Sequence, residues 1–236
     1  MPLEYFTVEQ LATYLHFQTQ QVQRLAERGK IPAKRVGGEW RFSKSEIHHW
    51  LEEKIGLADE DELRSMQHAL DSVQLVNPPE DMAISEMLLP STIQVPLPGR
   101  SPHSVIDAIV DLAMRSGELW DEERMKEAVR ERENMYPTAM ENGVALLHPR
   151  RPLTNILGGP FLALGRTLHG VPFSHTGVLT DIFFLICSTT DHQHLRTLAR
   201  LSRIITTDGF LPALRELEEP MDIIKLFRET EENLSI

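Results

Sequence analysis

Over residues 5–54 the apolar positions fall into two short helical stripes, an alternating stretch and a third helical stripe. In Thr7–Leu15 (TVEQLATYL), Val8, Leu11, Ala12 and Leu15 recur at the three-and-four spacing that gathers side chains on one helix face. Thr7, with Gln10 three residues on, is a capping box, in which each side chain satisfies an amide that the first helical turn leaves open. After His16 and Phe17, a second helix from about Gln18 to Arg28 buries Val22 and Leu25 and stops at Gly29, which takes the left-handed conformation beyond a helix end at little cost. Ile31–Phe42 then alternates apolar and basic residues about Gly37-Gly38 and predicts a β-hairpin. Ser43 followed by Glu46 repeats the capping-box signature and opens a helix carrying Ile47, Trp50 and Leu51.

Residues 55–85 are polar and acidic but hold a stripe, Leu63, Met66, Leu70 and Val73, at heptad spacing. It suits either a dimerising helix or a helix packed on the rest of its own chain, because such seams identify a coiled coil only over three or four heptads. Asn77-Pro78-Pro79 ends it. From Met87 strand and helix patterns alternate, as in an α/β domain. Residues 92–97, 143–147, 160–164 and 181–188 read as strands. Residues 101–114 and 121–132 read as helices with Ser101 and Asp121 as N-caps, and three further helices fall between Asp191 and Glu231. The expected organisation is a module at 1–55, a helical linker at 56–85 and a second domain at 86–236.

Composition refines this. The 236 residues are 41% hydrophobic and 25% charged, ordinary for a globular chain. The start, MPLEYFTVEQ, lacks the basic and apolar regions of a signal peptide, so a cytoplasmic protein is expected. The most apolar segment, Asp181–Cys187, is far short of the roughly 20 residues that a membrane span needs and reads as a buried strand. The single cysteine, Cys187, lies inside it, which excludes an intramolecular disulfide, fits a reducing compartment and suggests a small buried hydrophobe. The net charge of −11 is unevenly spread: residues 1–55 hold eight Lys and Arg against seven Asp and Glu, so the acidity belongs to the remainder.

Residues 5–54, with helix, turn, helix, R-G-K-I-P, a basic hairpin around G-G and a W-L closing helix, resemble the excisionase and MerR-like winged helix-turn-helix family, a mostly α fold. The resemblance implies that DNA is a partner, with the second helix in the major groove and the hairpin wing on phosphates. Lys34, Arg35 and Arg41 crowd the wing, where neutralising phosphates releases counterions, and Gln20, Gln21, Gln23 and Arg24 are of types that read base edges. A module with one net positive charge favours binding as a homodimer to a two-fold site. The competing reading is a protein-binding module with a solvated Gln-rich helix.

Residues 87–232 resemble the type-2 (fructose, mannitol and nitrogen-type) IIA domains of the sugar phosphotransferase system, an α/β fold with a mixed sheet flanked by helices. The resemblance is strongest at Arg132-Glu133, Thr138 and Gly143–His148, and again at Asp191–Ala199 (DHQHLRTLA) after an apolar strand. It implies that His148 takes a phosphoryl group from the phosphocarrier protein HPr or its nitrogen-branch equivalent, and that His194 is the second active-site histidine. Arg132 offers a planar fork for phosphoryl oxygens, and Thr138 sits in the adjoining loop. The family usually reads S-T-G-I-G-N-G in that loop and I-P-H at its end. This chain has Pro137-Thr138-Ala139-Met140-Glu141-Asn142-Gly143 and Leu147-His148, so two glycines are replaced and Glu141 adds negative charge near the phosphate site; Arg150 and Arg151 offset it. Such chemistry calls for no cofactor and no metal, and neither His48-His49 nor His192 with His194 places both rings on one helix face. Three functions stay open: a phosphorylation-controlled transcriptional regulator, a phosphocarrier feeding a IIB domain, and a regulator acting by partner contact alone.

Overall fold

The Thr7–Gln10 capping box forms: Gln10 N donates to Thr7 Oγ1 at 3.2 Å, and Thr7 N to Gln10 Oε1 at 2.9 Å. The computed structural model describes residues 5–15, 17–57, 63–64, 67, 82–173 and 177–235, and the chain divides into two units, 1–78 and 79–236.

In the first unit β1 (Tyr5–Phe6) precedes α1 (Val8–Leu15), α2 (Thr19–Glu27), β2 (Lys34–Val36), β3 (Glu39–Ser43) and α3 (Lys44–Leu57). Val8, Leu11, Ala12 and Leu15 of α1 are buried with Val22, Ile31, Phe42, Ile47 and Leu51. On α2 the second buried position is Ala26, and Leu25 is only half-buried. A short helix buries a narrow stripe at i and i+4, so Val22 selects Ala26 as its neighbour. The hairpin turns at Gly37 and Gly38, with φ +62° and +86°, the paired left-handed turn that matches the twist of two strands. The sheet has the order β1-β3-β2; β1, too short for a periodicity signal, pairs Phe6 with Phe42. Trp50 Nε1 donates to Lys30 O at 3.0 Å and pins the α2–β2 connection to α3. Of the heptad stripe, Leu63 is helical and buried, whereas Met66, Leu70, Val73 and the Asn77–Pro79 break lie outside the described residues.

The second unit runs α4 (Ile84–Met87), β4 (Leu88–Gln94), α5 (Pro102–Met114), α6 (Glu122–Met135), β5 (Val144–Leu147), β6 (Phe161–Val171), β7 (Thr180–Cys187), α7 (Asp191–Thr206), α8 (Phe210–Glu216) and α9 (Pro220–Leu234). Ser101 and Asp121 cap their helices by accepting from Ser104 N and Arg124 N. The sheet order is β4-β6-β7-β5, parallel at β4/β6 and β5/β7 and antiparallel at β6/β7, so it is mixed. β6 extends seven residues beyond the predicted apolar run: its pairing with β7 continues to Val171↔Thr180 although exposed Leu168 breaks the burial pattern. β4 begins earlier than predicted, with an irregularity between Leu88 and Ile93 where Pro90 and Ser91 interrupt the ladder.

Side chains alternate across β7, and both of its faces are covered. Phe183, Leu185 and Cys187 join the core under α5 and α6. On the other face Phe184 meets Phe227 of α9 edge-on at 6.0 Å, and Phe227 meets Phe210 of α8 at 5.0 Å. Lys126, itself buried, links α6 to α5 through Asp111 at 2.7 Å and also pairs with Glu122. Burial opposes its charge, but the bonds from Asp111 and Glu122 outweigh that and hold the amine above its ordinary value. At the far end, buried Glu231 of α9 accepts from the first amides of α4, Ile84 N at 2.5 Å and Ser85 N at 3.0 Å. Among the described residues no helix is long and apolar enough to cross a membrane.

Candidate functional site

His148 directly follows β5 and is buried. Its Nδ1 lies 2.7 Å from the carbonyl oxygen of Leu146. A carbonyl only accepts, so Nδ1 carries the hydrogen and donates it, and a neutral His148 ring keeps its lone pair on Nε2. The ring centroid of His194 is 4.7 Å away, with the planes tilted by 53°. His194 belongs to the first turn of α7, where Thr190 caps by accepting from Gln193 N at 3.1 Å and Gln193 Oε1 accepts from Thr189 N at 3.1 Å. This double cap fixes the turn, and the helix dipole favours negative charge beside the two rings.

Arg132 and Glu133 lie in the last turn of α6. Arg132 is buried, and its Nη1 donates to Tyr136 O at 2.7 Å. Glu133 Oε2 accepts from Thr138 N at 3.1 Å. Burial pushes the Glu133 carboxyl above the usual carboxylate range, opposed by its bonds to Thr138 and by the charge of Arg132. The two neighbours thus brace the turn that carries Thr138. The loop then folds back along β5: Ala139 bridges Ala145, and Met140 N donates to Val144 O at 2.8 Å. The structure brings His148 and His194 ring to ring and joins Arg132 and Thr138 through the 133–138 turn.

Two participants in this arrangement, Asp181 and Arg215, escaped sequence reasoning as site residues. Asp181 of β7 and Arg215 of α8 pair side on, and Arg215 Nη2 also donates to Asn142 O at 2.9 Å. Gly143 O accepts from Asp181 N and Ile182 N. Gly143, at φ +85°, is closely packed: a Cβ there would meet Arg215 Nη2 at 2.9 Å and Asp181 Oδ1 at 3.0 Å and displace that pair. The one available signal was an acid opening a run that is otherwise wholly apolar.

In the first unit α2 exposes Gln20, Gln21, Gln23 and Arg24; Gln20, Gln21 and Arg24 line one shallow surface with Gln18, Leu25 and Arg28. The wing cations differ from one another. Lys34 Nζ lies 3.1 Å from Glu46 Oε1, Arg41 Nη2 lies 2.6 Å from Glu39 Oε2, and the Arg35 guanidinium sits over the Trp40 ring at 4.7 Å. His48 and His49 have separate engagements, Nε2 of the former 2.9 Å from Tyr14 OH and Nδ1 of the latter 3.7 Å from Glu52.

Comparison with known proteins finds relatives for both units. Residues 86–230 match the family described as phosphoenolpyruvate-dependent sugar phosphotransferase system, EIIA 2, and residues 5–55 match a helix-turn-helix domain. The chain is 30% identical to the fructose-specific EIIABC component of the phosphotransferase system of Bacillus subtilis (strain 168), over 63% of this chain and 23% of that protein. It is 29% identical to a nitrogen regulatory protein of Bradyrhizobium diazoefficiens, over 57% of this chain and 87% of the relative. The crystal structure of the nitrogen regulatory protein IIA-Ntr from Neisseria meningitidis superposes with a TM-score of 0.55 at 20% identity, covering 61% of this chain and 98% of that one.

Proposed function

Since the chain belongs to the EIIA type 2 family of the phosphoenolpyruvate-dependent sugar phosphotransferase system, we propose that it is a DNA-binding regulator whose second unit accepts a phosphoryl group on His148. The observation that carries this reading is the bond from His148 Nδ1 to Leu146 O. It directs the lone pair of the neutral ring to Nε2, the atom that attacks phosphorus. In the transfer a new Nε2–P bond forms, the P–N bond to the donor's phosphohistidine breaks, and its electron pair returns to the donor ring. The ring of His148 then carries positive charge, which the Leu146 carbonyl stabilises through the retained Nδ1 hydrogen.

His194 and the first turn of α7 supply donors and positive potential for the phosphoryl oxygens, Arg132 and Arg150 complete the charge balance, and Thr138 offers a hydroxyl. Phosphoryl transfer asks chiefly for alignment and charge stabilisation, both available without a cofactor. HPr or its nitrogen-branch equivalent is the proposed donor. The helix-turn-helix at 1–55 is the proposed output, working as a homodimer in the cytoplasm, with 56–85 as the connecting segment. A phosphoryl group on His148 brings about two negative charges against the one positive charge of its ring and changes which partner surfaces the second unit accepts.

The test is incubation with phosphoenolpyruvate and the general phosphotransferase proteins, then intact-mass measurement of wild type and His148→Ala. A phosphate-sized gain in wild type alone is expected; no gain in either removes the phosphorylated regulator. The similarity to an EIIABC component favours a second reading, a phosphocarrier that passes the group to a IIB domain. Transfer of labelled phosphate from His148 to a IIB acceptor distinguishes it. The similarity to a nitrogen regulatory protein supports a third reading, regulation by partner contact alone.

A further inference from the structure

The β2–β3 hairpin sorts its cations by face. Successive side chains of a strand point to opposite faces, and the register sets Lys34 opposite Arg41, Val36 opposite Glu39 and Arg35 opposite Trp40. Lys34, Arg41 and Glu39 therefore share one face, while Arg35 and Trp40 share the other. Like charges directly across a ladder repel, and the fold answers with a carboxylate for each. Glu46, reaching over from α3, takes Lys34, and Glu39 takes Arg41, whose Nη1 also donates to Trp40 O at 3.1 Å. On the opposite face Arg35 is exposed and stacked on Trp40, and among the described residues no carboxylate pairs with it.

We propose that Glu46 and Glu39 act as intramolecular counterions that withhold Lys34 and Arg41 from DNA, and that Arg35, carried on the Trp40 ring, is the wing's contact to a backbone phosphate. The inference rests on the DNA-binding reading of the first unit. A cation releases a condensed counterion from DNA only if it brings net charge to the phosphate. A Lys–Glu or Arg–Glu pair brings none. If Lys34 leaves Glu46 for a phosphate, the carboxylate left near a polyanion has to be balanced from solution, which cancels the release. Arg35 keeps its charge. Stacking occupies only the flat face of a guanidinium and leaves the N–H edge to donate, with the side chain already ordered. Trp40 is thus a positioning residue that the pattern of basic residues did not reveal, and the three wing cations are not equivalent.

The experiment measures binding of the full chain to a labelled mixed-sequence duplex across a series of NaCl concentrations. For Arg35→Ala, the slope of log affinity against log salt is expected to fall by about 0.9, the share of one phosphate contact. The double variants Lys34→Ala with Glu46→Gln, and Arg41→Ala with Glu39→Gln, each remove a neutral pair whole and are expected to leave it nearly unchanged. Glu46→Gln and Glu39→Gln preserve side-chain shape, so folding is kept, and each is expected to steepen the slope by up to about 0.9 and tighten binding at low salt. Trp40→Phe keeps a ring under Arg35 and holds affinity, whereas Trp40→Leu loses it with the slope intact. An equal loss of slope in the Lys34→Ala, Glu46→Gln double variant and in Arg35→Ala overturns the proposal, as does a Glu46→Gln slope equal to wild type. If neither wild type nor Glu46→Gln retains the duplex at low salt, the DNA-binding reading fails first and the proposal falls with it.

Discussion

Asp181 and Arg215 meet side on, Nε to Oδ2 and Nη2 to Oδ1, both at 2.8 Å. Two parallel charge-assisted bonds fix orientation as well as distance. The Asp181 bonds hold the guanidinium above its ordinary value against partial burial. Because the same group reaches Asn142 O, the pair ties α8 and the start of β7 to the loop in front of β5. Arg215→Met is expected to cost about 1–2 kcal/mol, or about 2–8 °C in melting temperature for a chain of this size. Combined with Asp181→Asn, the losses should fall well short of additive in thermal melts; additive losses would show that the two residues act separately.

Gly143 and Gly209 separate strain from collision. Both have φ near +80°, but a Cβ at Gly209 meets nothing within 4 Å, whereas one at Gly143 meets the Arg215–Asp181 pair. Gly209→Ala should cost about 1 kcal/mol of backbone strain. Gly143→Ala should cost clearly more in the same melts, and its excess should vanish in an Arg215→Met, Asp181→Asn background.

Glu133 sets a pH dependence. Its carboxyl is raised by burial, so the folded state holds that proton more tightly than the unfolded state does. The group's contribution is fully present below the unfolded pKa and is lost as pH rises through the folded one. Glu133→Gln keeps an oxygen to accept from Thr138 N and removes the buried charge. It should raise the melting temperature at neutral pH, with the gain shrinking as the pH is lowered into the carboxylate range; a gain independent of pH would contradict the burial argument.

Cys187 should be chemically silent in the native protein. It is fully buried in the core under α5 and α6, and burial pushes the thiol well above its ordinary value. Thiolate is the reactive form, so a disulfide-exchange reagent at neutral pH is expected to react only as fast as the fold opens, and at once in denaturant. Stoichiometric reaction within mixing time under native conditions would be incompatible with this core.

The site of phosphorylation should be one specific nitrogen. With Nδ1 committed to Leu146 O, phosphorus-to-nitrogen coupling in the phosphorylated, ring-labelled protein is expected at Nε2 of His148. Coupling at Nδ1 would mean that the Leu146 bond breaks before transfer.

The elements were legible wherever periodicity or caps spoke locally. The Thr7–Gln10 box, the Gly37-Gly38 hairpin, the Ser101 and Asp121 caps and the buried 181–187 strand all follow from residues within a few positions of each other. His148 and His194 were found by resemblance at two separate stretches, and only the fold places their rings 4.7 Å apart. What stayed hidden depends on partners far along the chain. Lys34 reads as part of a basic patch because its partner Glu46 enters from α3. The Asp181–Arg215 anchor joins two segments with no shared pattern, and β1 is too short to show one. Leu25 was misplaced relative to Ala26 because a three-turn stripe leaves its exact rotation to tertiary packing.

The clasp between Glu231 and the amides of Ile84 and Ser85 bears on the order of synthesis. The carboxylate that completes the first turn of the second unit is among the last groups of that unit to be made. Those two amides cannot find their acceptor while α9 is still within the ribosome, so the unit should close as a whole, after translation of its final helix, and not strand by strand.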